Sequence, residues 1–208
     1  MLPTDPEVLI PWLQARLAAI KPSSVSADHP HVRVERKAAV LIGMVLHPQQ
    51  VTVLFTQRAQ HLSVHAGQVS FPGGAIELTD VDAVDAALRE TEEEVGIPRA
   101  WICPCHTLGE YRTISGFAVT PVLATLEPNY PVQADANEVA EVFELPLDVV
   151  LNPARYERRW IERPEGKGVT HFLEHDGRVV WGATAGMLLQ LSASLGLPGI
   201  PVDKTNGG

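Results

Sequence analysis

The chain has 208 residues, 45 % of them hydrophobic and 20 % charged, the balance of an ordinary globular protein long enough to bury a core. A formal charge of −9, from 16 Lys+Arg against 25 Asp+Glu, argues against non-specific nucleic-acid binding, which relies on basic patches. No apolar stretch approaches the roughly 20 residues that span a bilayer, and residues 1–7 lack the basic and apolar regions of a signal peptide, so no membrane partner and a cytoplasmic location are expected.

There is no internal repeat or low-complexity segment, and one domain is expected over residues 1–197. Residues 1–35 form its N-terminal helix and loop extension, and 198–208 a flexible tail. Val8, Leu9, Trp12, Leu13 and Leu17 recur at helical spacing and predict a helix over 7–20, with Pro11 near its start. Residues 22–31 read as a loop. Continuous apolar runs at 38–46 and 51–56 suit buried strands, joined by a turn at His47-Pro48-Gln49-Gln50.

An aperiodic segment follows at 59–72 and closes on Phe71-Pro72-Gly73-Gly74. Loops of this length inside a compact domain are usually functional or disordered. Residues 81–95 form the clearest helix, ended by Gly96 and then Pro98. Apolar runs at 101–108, 117–126, 139–143, 170–173 and 179–181 suit strands, and 183–195 an apolar helix. Helices and strands interleave without strict alternation, which predicts an α+β fold with a mixed sheet flanked by helices. Cys103 and Cys105 are read as reduced thiols packed in or near a strand, because a bridge across one residue would be strained.

The acids carry the chemistry. Glu77, Asp80, Asp82, Asp85, Glu90, Glu92, Glu93 and Glu94 crowd one stretch, opposed there only by Arg89. On a helical wheel Val84, Leu88, Thr91 and Val95 share the face that packs on the sheet. Glu90, Glu93 and Glu94, at i, i+3 and i+4, converge on another face. Such a cluster is either a solvated surface or a site for a hard divalent cation. The helix dipole disfavours negative charge near a C-terminus, so a bound cation is the more economical reading. Arg89 is placed to pair with Asp85, with Glu93 or with an acid of the preceding loop. His61 and His65 are four apart, but no third ligand accompanies them, so zinc is not expected. Lining a substrate pocket suits His65 better.

At this point the residues resemble the Nudix hydrolase family, whose box reads Gly-x5-Glu-x7-Arg-Glu-U-x-Glu-Glu-x-Gly-U with U a bulky aliphatic. Arg89-Glu90-Thr91-Glu92-Glu93-Glu94-Val95-Gly96-Ile97 matches its second half, with Thr91 a mild departure. In the first half, the sixth residue after Gly74 is Asp80, and Arg89 arrives one residue late. The coenzyme A diphosphatase branch is similar in its Phe-Pro-Gly-Gly turn and acid-rich loop. Arg58 and Gly67 stand at the spacing of that branch's upstream signature, with Ser63 where it has arginine. Residues 115–121 and 180–186 also look like this branch, and the likeness runs from about Ala38 to about Leu195.

The resemblance implies an α/β/α sandwich and Mg²⁺ (or Mn²⁺) on Glu90, Glu93 and Glu94, with Glu138 as a fourth carboxylate. Arg89, Glu90, Glu93 and Glu94 become the catalytic set, and Arg58, His65, Gly73, Gly74 and Phe117 the substrate-binding set. Asp80 or Glu77 would pair with Arg89 in place of the missing box glutamate. Arg58, Lys37 or Arg112 would compensate for Ser63. The implied reaction cuts the pyrophosphate of coenzyme A or its derivatives to 4′-phosphopantetheine and adenosine 3′,5′-bisphosphate. Alternatives are another nucleoside diphosphate derivative, such as ADP-ribose, NADH or a damaged nucleotide, and, from a different class, a non-catalytic nucleotide sensor. The expected partner is a small molecule with a pyrophosphate linkage, and a homodimer stays open.

Overall fold

The computed structural model describes residues 2–3, 5–19, 26–27, 34, 36–62, 66–163 and 166–205. It runs α1 (Pro6–Leu17), β1 (Ser26–Ala27), β2 (Arg36–His47), β3 (Gln50–Arg58), β4 (Val69–Ser70), β5 (Gly73–Ala75) and α2 (Ala83–Val95). Next come β6 (Ile102–Thr107), β7 (Tyr111–Arg112), β8 (Phe117–Leu126), β9 (Val139–Pro146) and α3 (Leu147–Val150). The chain ends in β10 (Glu157–Arg163), β11 (Gly166–His175), β12 (Arg178–Trp181), α4 (Gly182–Ser194) and β13 (Val202–Asp203).

A split in the main sheet positions the site. β2 and β3 pair as an antiparallel hairpin only near their turn, from Met44↔Val53 to His47↔Gln50. Beyond that the strands part, and residues 69–75 fill the gap. β4 pairs with β3 and β5 with β2, both antiparallel, while Leu41 N–H donates to the Pro72 carbonyl at 2.8 Å. On its other side β2 runs parallel to β8 along nearly its whole length, and β3 carries β9. The sheet is therefore mixed, as the interleaved pattern predicts.

Both faces of this sheet are covered, which explains why β2 reads as an unbroken apolar run. Ala39, Leu41 and Val45 face α2 and pack with Ala86, Ala87 and Val95. Ala38, Ile42 and Met44 face the opposite way, into a core shared with Leu9 and Leu13 of α1 and Leu188 and Leu191 of α4. The alternation is the two-residue period of a strand. Helix α1 begins at Pro6 because Asp5 accepts from Glu7 N–H at 2.8 Å and proline suits the first turn. The loop expected at 22–31 lies outside the described residues except Ser26 and Ala27, which pair in parallel with β7.

A smaller sheet of order β12-β11-β10-β13 packs beside α4. Its β10, Glu-Arg-Arg-Trp-Ile-Glu-Arg, has no apolar run and is held by seven residue pairs with β11. The tail from Pro198, expected to be flexible, instead places β13 in parallel register on β10. Val202 N–H donates to the Tyr156 carbonyl at 2.8 Å and Lys204 N–H to that of Arg158 at 2.9 Å. Backbone bonding there needs no sequence signature, so pattern reading missed it. Cys103 and Cys105 are free and exposed on β6. No helix among the described residues is long and apolar enough to cross a membrane.

Candidate active site

Helix α2 starts at Ala83, two residues later than its pattern suggests, because Asp82 acts as N-cap and accepts from Asp85 N–H at 2.9 Å. It ends on Gly96 in the left-handed region, φ 70°, where glycine carries no Cβ penalty. Ala87, Thr91 and Val95 are buried against the sheet, with Val84 and Leu88 at the margin. The Thr91 hydroxyl donates to the Ala87 carbonyl at 2.6 Å, which satisfies the one polar group on that face.

Arg89 organises the acids around it. Its Nε and Nη2 donate to the two carboxylate oxygens of Asp80, each at 2.9 Å, and Nη2 also reaches the Ala75 carbonyl at 3.1 Å. Its Nη1 donates to Glu90 Oε1 and Glu93 Oε2, both at 2.9 Å. Asp80, whose side chain is 2 % exposed, therefore takes the position opposite Arg89. The guanidinium, helped by Glu77 N–H, holds its carboxyl down to about 2. Glu77 meets Asp80 through its backbone N–H and carbonyl, and Asp85 pairs with Arg99 instead. The two parallel Arg–carboxylate bonds staple the loop before α2 to the helix.

The split sheet delivers Gly73 and Gly74 to the same carboxylates. Gly73 N–H donates to Glu94 Oε2 at 3.0 Å. Gly73 sits at φ +150°, and a Cβ there would lie 2.3 Å from the Ala39 carbonyl oxygen. A Cβ on Gly74 would lie 2.5 Å from the Glu90 carboxyl carbon. Only glycines let this turn approach the helix so closely.

Glu94 is 7 % exposed, and the nearest cation, Arg58 Nη1, is 4.0 Å away. Burial pushes its carboxyl up to about 7 against the Gly73 N–H, and the charges of Glu90 and Glu138 add to the rise. Burial also raises Glu90, opposed by Arg89. Glu138 is itself exposed, and its carbonyl accepts from Ala59 N–H at 2.9 Å, which ties it beside Arg58.

Glu93 departs from the expected convergence. Its side chain is 60 % exposed and bonded to Arg89, while Glu90 and Glu94 turn inward to the glycines. The helical angle between i and i+3 is wide enough to put one residue at the rim when the other two are buried. Among the described residues no three His, Cys, Asp or Glu side chains are grouped about one point as a metal site. The donor chemistry nevertheless fits a hard cation. The charge of Glu138 adds to the rise of both Glu90 and Glu94, and these two are desolvated carboxylates facing a glycine turn.

Beside this corner opens a cleft of about 640 Å³. Arg58, Gln68, Gly73 and Gly74 are in its lining. Arg58 Nε is buried without a hydrogen-bond partner among the described residues. Most of the remaining lining is apolar, including Val40, Phe117, Val119, Ile161, Trp181 and Met187, with Glu162, Thr170 and Thr184 among them. The Phe117 ring lies under the guanidinium of Arg36, 4.2 Å from its carbon. Ile161 of β10 and Met187 of α4 are not marked by their own sequence, since nothing local marks an Ile or Met as lining a cleft, whereas Trp181 lies in the 180–186 stretch noted above. His61 is exposed, and neither it nor Lys37 or Arg112 lines the cleft. Ser63 and His65 lie outside the described residues.

Comparison with known proteins agrees with this geometry. The NUDIX domain profile matches residues 35–163. The chain is 42 % identical over 162 residues to NudL of Escherichia coli (strain K12), an uncharacterized Nudix hydrolase, spanning 78 % of this chain and 84 % of that protein. It is equally similar, over 163 residues, to NudL of Salmonella newport (strain SL254), with the same shares. Among solved structures, the Nudix hydrolase RenU from M. smegmatis aligns with a TM-score of 0.48 and 25 % identity over 56 % of this chain and 79 % of that one. The acid-rich helix, its arginine staple and the glycine turn thus fall within the matched span, and the chain belongs to the NUDIX family of pyrophosphohydrolases.

Proposed function

We propose that this enzyme hydrolyses the pyrophosphate bond of coenzyme A or its derivatives, releasing 4′-phosphopantetheine and adenosine 3′,5′-bisphosphate, with Mg²⁺ or Mn²⁺. The observation that carries the reading is a largely apolar cleft that opens beside the glycine turn and takes Arg58 into its lining. Arg58 and the glycine turn suit a pyrophosphate, and the predominantly apolar lining suits the long uncharged arm that distinguishes coenzyme A from ADP-ribose or NADH. The signature residues Arg58, Gly67 and Phe71-Pro72-Gly73-Gly74 point the same way.

In this reading Glu90, Glu94 and Glu138 hold the divalent ion, with Glu93 completing the set from the rim. The ion, when bound, supplies charge neutralisation at the pyrophosphate and a lowered pKa for water. The protein's own groups do the positioning. Arg58, whose Nε has no hydrogen-bond partner among the described residues, binds a phosphate oxygen and offsets the Glu94 charge. Gly73 and Gly74 let the turn close on β2 and on the Glu90 carboxylate, where a Cβ would clash. Arg89 fixes Glu90 and, through Asp80, the loop ahead of the helix. The apolar lining excludes water from one side of the reacting bond. A sensor without catalysis gives way to this reading, because the chain belongs to a family of hydrolases.

The test is incubation of the purified protein with coenzyme A and Mg²⁺, with and without EDTA, the products being resolved by mass. Metal-dependent 4′-phosphopantetheine is expected. Survival of coenzyme A while ADP-ribose or NADH is cut would overturn the branch and keep the family.

A further inference from the structure

Glu138 reaches the site from a segment far from α2 in sequence, and the means by which it is held have no counterpart in the family box. Residues 127–138 leave β8 through Pro128 and Asn129, the latter at φ 68°, a region asparagine tolerates. The segment then docks on the end of α2. Gln133 N–H donates to the Val95 carbonyl and Asp135 N–H to the Glu94 carbonyl, both at 2.9 Å. A Cβ on Gly96 would meet Gln133 backbone at 2.7 Å, so the helix-ending glycine also makes room for this contact. Asp135 in turn accepts through its carbonyl from Glu138 and Val139 N–H, at 3.0 and 2.8 Å.

One side chain anchors the other end of the segment. Tyr130 donates its hydroxyl to Glu144 Oε1 of β9 at 2.5 Å. The second oxygen of Glu144 takes His47 Nε2 at 2.6 Å and the Thr52 hydroxyl, both from the β2–β3 hairpin. A half-buried carboxylate with three donors from two directions is a rigid clamp, since moving it would strip several charge-assisted bonds at once.

We propose that Glu144 is a positioning residue: through Tyr130 it holds the 127–138 segment, and with it Glu138, against the C-terminal end of α2. The proposal rests on the reading that Glu90, Glu94 and Glu138 form one metal site. Two substitutions separate positioning from plain stability. Tyr130→Phe cuts the clamp on the segment side. Thr52→Val removes a donor to the same carboxylate on the hairpin side and leaves the segment attached.

Mn²⁺ affinity is read by electron paramagnetic resonance titration, and amide hydrogen exchange is followed over residues 127–138. Tyr130→Phe is expected to weaken Mn²⁺ binding about tenfold, the usual scale for groups that orient metal ligands. It also speeds exchange of the Gln133 and Asp135 amides. Thr52→Val, at a comparable loss of melting temperature, does neither. Unchanged exchange in Tyr130→Phe, or an equal effect of Thr52→Val on both readouts, overturns the proposal. A wild-type chain that binds no Mn²⁺ overturns the metal reading instead, and the exchange comparison then decides the clamp by itself.

Discussion

Glu94 and Glu144 are both withdrawn from solvent, yet their surroundings treat them in opposite ways. Glu144 accepts from a tyrosine, a threonine and a histidine. Burial pushes its carboxyl up, but those donors outweigh burial and hold it below the usual range. Glu94 has one backbone donor and an arginine 4.0 Å away, and burial lifts it to about 7. A structural carboxylate is saturated by its protein partners. A carboxylate kept for chemistry is desolvated and left short of them, so that something else can complete it.

Removing the charge is the strongest way to break this contrast. Glu94→Gln should lower kcat by about 10³-fold, the several kcal/mol that a metal site supplies, when product release is followed at saturating Mg²⁺. Glu144→Gln under the same conditions should stay within about tenfold of wild type. Similar losses for both would erase the distinction.

Next in size is the staple. Arg89→Lys replaces a bidentate fork with a point charge that cannot serve Asp80, Glu90 and Glu93 together. A fall in kcat of about 10²-fold is expected, with little change in KM, because Glu90 loses its orientation while the cleft is intact. A change in KM alone would show that Arg89 acts on substrate rather than through Glu90.

Stability against pH sharpens the comparison further. Glu94 binds its proton more tightly folded than unfolded, so its contribution is present below about 4.5 and is lost as pH rises toward 7. Glu144 is depressed, so its contribution is present above about 4.5 and disappears as pH falls. Melting curves of the metal-free protein should therefore decline on the two sides through different residues. Glu94→Gln should remove the loss between about pH 5 and 7, and Mg²⁺ should restore stability there in the wild type. An unchanged profile in Glu94→Gln would assign the loss to another group.

The smallest effect concerns the glycine turn. Gly74→Ala places a methyl against the Glu90 carboxylate, whose end is flexible and held by Arg89. A loss of about 1 kcal/mol in thermal unfolding and a several-fold lower kcat are expected. No effect on either would mean that the turn and helix sit farther apart in solution than 2.5 Å from Cβ to carboxyl carbon implies.

Much of this was readable from spacing. The run 38–46 became β2, the run 117–126 became β8, and the glycine-ended acidic helix became α2 almost in full, because each pattern follows from a local period against a covered sheet. β10 and β13 were not readable, because a charged strand and a two-residue strand depend on the partner that offers them hydrogen bonds. In the site, Arg89 with an upstream acid was expected, but the choice of Asp80 over Glu77 was made by the path of the loop.

By itself the sequence determined the family, the helix that bears the acids and the glycines before it, since these are consequences of neighbours three or four residues apart. Only the tertiary structure decided which carboxylates are buried, that Glu93 stays at the rim while Glu94 meets Gly73, and that β10, β12 and α4 wall the cleft. Burial and charge compensation are sums over groups distant in sequence, and those sums exist only once the split sheet has brought residues 36–58, 69–75 and 83–95 together with the 127–138 segment.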